Sequence, residues 1–334
     1  MNCTRFMLRN EYFVNMYANP RSSLLVSSIF IFILLSLVSF HCLLFNLHLR
    51  VRQKLHPFFA IIFGIVIIMH VLYTFGELVS HCIFLIFPNN SAMFYSMVLT
   101  RLSYSAISPL CFGCVFERLF ATILVAKYES YRNWFLFLVI IIPPIAIFIY
   151  FDFIHHDTAY ELSAVSLITV LACIVLYFFN RKMTENCENL DFVATISVSE
   201  KYQILENMVV VRKGLLPILI LGLLINLSDF VAYRITEKMI DGKSDCQQHK
   251  VYIPYIIFNG LSVFLEYCVP LSIILEWKHY RSNLSPCCRR FFGATGKVAA
   301  ITETNVQIRN ALGKVISKHP TTSEYFDNLN MQWG

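Results

Sequence analysis

Residues Leu24 to Leu47 contain no acidic or basic side chain apart from His41. A run of that length crosses about 30 Å of hydrocarbon as a helix, and it is too long for a signal-peptide core and lacks a small-residue cleavage site. Six more apolar runs follow, at about 57–87, 93–126, 134–153, 162–179, 215–233 and 251–277. In lipid every backbone polar group must be satisfied within the segment, so such runs fold as helices. The expectation is an all-α membrane protein, a seven-transmembrane helix bundle. Residues 1–23 form an amino-terminal segment, 24–277 the bundle and 278–334 a polar tail.

Composition agrees with lipid as the main solvent. Only 14% of residues are charged, 57% are hydrophobic and 30 are Phe, whereas soluble domains average about 25% charged. The net charge of +6 then reads as a topology signal. Fourteen Lys and Arg flank the ends after runs one, three, five and seven, from Arg50 to Arg290, against seven on the other face, from Arg5 to Lys250. That bias puts the amino terminus outside and the tail in the cytoplasm. No basic stripe interleaved with aromatics occurs outside the loops, which argues against nucleic acid as a partner. The sequons at Asn2 and Asn89 fall on the outer face, as glycosylation requires, although Asn283 heads another on the inner face.

Charges inside the runs carry the most information, because each costs about 3 kcal/mol to insert and so pairs or lines a cavity. Glu77 and Arg101 lie at similar depth on runs joined by a short outer loop. Either they pair or share one polar cavity, or Arg101 reaches the interface along its own stem. Asn226 and Asp229 on the sixth run, with Asn259 and Glu266 on the seventh, either complete a ligand pocket framed by runs two, three, six and seven or hold helices together by hydrogen bonds.

Glu117 and Arg118 mark the inner end of the third run. They act either as a latch that opens when helices move or as a plain helix boundary. Ser197 with Glu200 has the spacing of a capping box, so a helix starts there, passes Tyr202, Gln203, Glu206 and Asn207, and runs into the sixth span.

Of 11 Cys, only Cys3, Cys82 and Cys246 meet an oxidising side, and Cys82 with Cys246 is the best candidate bridge. Cys287 and Cys288, beside Arg289 and Arg290, are either palmitoylated or plain thiols. The pair His155 and His156 with Asp157 lacks further ligands and reads as a solvated loop, so neither a metal nor a cofactor is expected. Apolar residues from Ile301 to Ile316 recur near helical spacing in the tail. They form a helix along the inner face or the lipid surface, or a free segment.

The strings Glu117-Arg118-Leu119-Phe120-Ala121-Thr122, Tyr128-Glu129, Tyr202-Gln203 with Glu206-Asn207, and Tyr325-Phe326-Asp327-Asn328-Leu329 with Trp333 resemble those of nematode serpentine chemoreceptors of class epsilon, within the Sra-like superfamily. The resemblance covers runs three to seven and the tail. It implies a G-protein-coupled chemosensory receptor in the plasma membrane of a sensory neuron, with a small-molecule cue and a heterotrimeric G protein as partners. Its cytoplasmic face would comprise Glu117, Arg118, Tyr128, Arg132, Tyr202, Gln203, Glu206 and Asn207. Glu-Arg-Leu stands where rhodopsin-like receptors have acid-Arg-Tyr, and no Asn-Pro-x-x-Tyr string closes the seventh run. The main alternative, a small-solute transporter, would show internal repeats, and none is visible. No catalytic motif points to an enzyme.

Overall fold

The computed structural model describes residues 20–52, 55–86, 92–124, 158–188, 204, 206–240, 249–277, 280 and 284, with positions 142–143, 146–147 and 150. Six long helices stand in this set: α1 (Pro20–Val51), α2 (Pro57–Ile86), α3 (Ala92–Ile123), α4 (Thr158–Glu188), α5 (Leu216–Ile240) and α6 (His249–Glu276). They contain apolar runs one, two, three, five, six and seven. The few described positions of the fourth run are helical, and the rest of it lies outside the described residues. Among the described residues, five helices are long and apolar enough to cross a membrane. Exposed Phe32, Phe178, Ile257 and Phe264 give the bundle the apolar outer surface that lipid demands.

The helices outrun the apolar runs. α4 continues from Phe179 to Glu188, carrying Arg181 and Glu185 as an exposed i,i+4 pair at 2.9 Å. Before α5, Ile204 and residues 206–209 are helical and lead through a π turn, Val210–Leu215. Leu216 N–H closes that turn on the carbonyl of Val211. Such turns insert one residue and re-aim the chain beyond them. Here the shift brings Gly214 directly under the Trp277 indole, where a Cβ would overlap the ring.

α2 packs most extensively on α3, an antiparallel pair. Its register is set by small groups: Gly76 abuts the backbone of Thr100, and Ser80 Oγ lies 2.9 Å from Ser96 Oγ. Close approach of this kind drives association in lipid, where apolar burial gives little. At the other end of the bundle, Phe59, Phe63, Trp277 and Tyr280 stack in series. His48 Nε2 donates to Ala60 O at 2.8 Å, and its Nδ1 accepts from Tyr280 Oη at 2.7 Å, a tautomer assigned from the partners.

Cys82 is a free thiol about one turn inside α2. The expected bridge to Cys246, a residue outside the described set, is therefore not made.

Candidate functional site

At the end of α3 the carboxylate of Glu117 takes both prongs of the neighbouring guanidinium, Arg118 Nε to Oε2 at 2.5 Å and Nη2 to Oε1 at 2.6 Å. Both residues are buried, 6% and 5% exposed. Such a buried pair needs further partners to offset its desolvation. Arg118 Nη1 donates to Asn207 Oδ1 at 2.8 Å, and the guanidinium lies 4.5 Å above the Phe59 ring. His56 Nδ1 stands 3.5 Å from Glu117 Oε1. One turn on, Thr122 Oγ1 lies 3.0 Å from Asn180 Oδ1 of α4. Three chain segments thus meet at this Arg: α3 itself, α2 through Phe59, and the helix leading into α5.

A second polar layer lies deeper. Tyr104 Oη is 2.6 Å from Asn226 Oδ1 and 2.8 Å from Asp229 Oδ2, so its single proton serves one of the two. The amide of Asn226 donates to Ser166 Oγ at 2.6 Å and to Ser108 Oγ at 3.3 Å. α3, α4 and α5 are tied through one side chain. Beside them His70 Nδ1 lies 3.1 Å from Glu266 Oε2, and His41 Nε2 is 4.0 Å from the same oxygen.

Between these groups is a cavity lined by His70, Tyr104, Ser108, Ser166, Asn226 and Glu266 among others. It holds about 30 Å³ of room for the centres of water molecules, enough for about two of them. The cavity takes in α4, which the sequence did not place there. Its lowest wall residue on α3, Cys111, is six positions from Glu117, about 9 Å along the helix.

Of the expected pocket residues, Asn226 and Glu266 line this cavity. Asp229 reaches it only through Tyr104, and Glu77 and Arg101 stand elsewhere, half-buried on the α2–α3 seam. Asn259 lies on α6, with its side chain outside the described set. Asn207 is buried against Arg118, while Glu206 is exposed. Asn2, Asn89, Tyr128, Arg132, Tyr202, Gln203, Cys287 and Cys288 lie outside the described residues, as do Ser197 with its capping box, residues 155–157 and most of the tail. Sequence reasoning missed His41, His56, His70 and Tyr104. The signal available was the depth of the histidines, since His within a span is as telling as an acid.

Lipid-length helices wrapped around buried ionic and hydrogen-bonded groups make this a multi-pass membrane protein of the serpentine receptor class. The family model described as Sre G protein-coupled chemoreceptor matches residues 87–334, about three quarters of the chain. The chain belongs to that family, and a chemoreceptor role follows. A search of curated proteins found no match.

Proposed function

We propose that the chain is a seven-span plasma-membrane receptor, amino terminus outside, that binds a small-molecule cue between its helices and signals to a heterotrimeric G protein through the Glu117 end of the bundle. The observation that carries this reading is Arg118, held at once by Glu117 and by Asn207 on the helix leading into α5. A cue that binds better when α5 has moved would shift the population toward the released Arg118, by no more than its differential affinity for the two arrangements. Tyr104, Asn226 and Asp229 fit the part of detector: their hydrogen bonds tie α3 to α5, and the cavity wall ends close to the switch. On this reading Arg118, Tyr128, Arg132, Tyr202 and Gln203 face the G protein. Asn2 and Asn89 carry glycans and Cys287 with Cys288 carry acyl chains. Glu77 and Arg101 are partners at the α2–α3 seam, at equal distances from the helix ends that the short loop joins.

The test is guanine-nucleotide exchange on co-expressed G proteins in membranes carrying the receptor, challenged with a panel of small water-soluble and volatile compounds. Exchange that a compound stimulates and that Arg118→Ala abolishes supports the proposal. Solute uptake into vesicles, with no exchange on any G protein tried, would instead favour a transporter.

A further inference from the structure

His41 is fully buried about two thirds of the way along α1, and neither ring nitrogen has a hydrogen-bond partner among the described residues. An orphaned imidazole in an apolar interior costs the desolvation of its polar atoms. Its ring stacks on His70 of α2, with centroids 5.4 Å apart and planes inclined by 19°. His70 in turn meets Glu266 of α6, which is 3% exposed. One ligand atom from each of the three residues lies within 4.8 Å of the other two. These residues are far apart in sequence and come from three helices. All sit mid-helix; His41 and Glu266 are each ten residues, about 15 Å, from the end of their helix nearest Glu117.

We propose that His41, His70 and Glu266 form a binding site for a divalent transition-metal cation, with Zn²⁺ the best match to two imidazoles and a carboxylate. Three protein ligands of this kind leave a fourth coordination position open. Bonds of 2.0–2.1 Å imply ligand atoms about 3.3 Å apart around a tetrahedral ion. His70 and Glu266 already stand at 3.1 Å, and His41 must approach Glu266 from 4.0 Å and His70 from within 4.8 Å, at most about 1.5 Å of closure by a ring with no hydrogen bond to break. A proton on His70 would satisfy Glu266 but leave His41 orphaned. A dication takes one ligand atom from each of the three, halving the number of orphaned nitrogens on His41, and offsets the buried carboxylate, which is costly when unpaired. The open position lies on the cavity side, because His70 and Glu266 line the cavity and His41 does not. The metal site does not rest on the signalling role.

The experiment uses full-length receptor in lipid nanodiscs, with any affinity tag removed, dialysed against Zn²⁺ and assayed for bound metal. One Zn²⁺ per wild-type chain is expected. His41→Phe, which keeps a ring against His70, and Glu266→Gln should each weaken binding by about 100-fold or more, beyond the loss seen when only an outer partner of a ligand is removed. Wild-type protein that binds no stoichiometric metal, or folded variants that bind as it does, would overturn the site. Should either variant fail to fold, Co²⁺ in the wild type decides. A tetrahedral nitrogen–oxygen spectrum supports the site. A thiolate charge-transfer band, pointing to cysteines such as Cys111 or Cys114, refutes it, as does the absence of any Co²⁺ spectrum.

Discussion

Arg118 of α3 donates to Asn207 at 2.8 Å across 89 positions of sequence, and this bond fastens the α5 lead-in to the end of α3. A hydrogen bond to a charged group contributes about 1.5–3 kcal/mol, or about 10- to 100-fold in a two-state equilibrium. Asn207→Ala should therefore raise cue-independent nucleotide exchange by up to about tenfold, since Glu117 still restrains the Arg. Basal exchange equal to wild type would show that the bond does not hold the resting state.

Gly214 and Gly222 form a matched pair for testing the π turn. A Cβ at Gly214 meets the Trp277 indole, while one at Gly222 meets nothing within 4 Å. Gly214→Ala should destabilise the bundle by about 1–3 kcal/mol, the usual cost of overpacking. Gly222→Ala should be neutral or stabilising by up to about 1 kcal/mol from helix propensity. Thermal denaturation of the two detergent-solubilised variants reads the contrast, and equal melting temperatures would contradict the close approach.

Tyr280→Phe removes the donor to His48 Nδ1 and leaves a buried acceptor unmet, at about 1–3 kcal/mol. Its melting temperature should fall, whereas Phe120→Leu, a swap in a half-buried ring of α3, should lower it less.

Glu77 and Arg101 each stand nine positions from the helix ends that the short loop joins. Gly76 against Thr100 and Ser80 against Ser96 fix the register beside them, in which Glu77 and Arg101 stand two residues, about 3 Å, out of step. Glu77→Arg or Arg101→Glu alone should deplete the receptor from the cell surface, and the double exchange should recover it. A double variant as poor as either single one would exclude a direct pair.

The helices were legible in the sequence because hydrocarbon permits so little else: the bounds of α2 and α3 fall within a few residues of the apolar runs. Glu117 and Arg118 stood out as charges beside an apolar run, and Asn207 through the string it shares with a family. His41 and His70 were passed over although each lies within an apolar run, because Glu266 lies about two hundred residues further on and nothing local joins the three. Tyr104 passed for apolar filler, one of 17 Tyr, until folding set its hydroxyl against Asn226 and Asp229. The π turn has no signature in residue type at all. Its consequence, the Gly214–Trp277 approach, exists only once α5 has packed against the end of α6.

The Phe59 ring has the Arg118 guanidinium on it at 4.5 Å and the Trp277 indole edge-on at 6.0 Å. The chain has three tryptophans, and the other two, Trp134 and Trp333, are remote in sequence from this cluster. Replacing both with Phe would leave a single indole, whose emission can be excited apart from that of the 17 Tyr, one aromatic contact from the guanidinium. The molecule thus carries its own optical gauge of whether that cation is seated, with no dye attached.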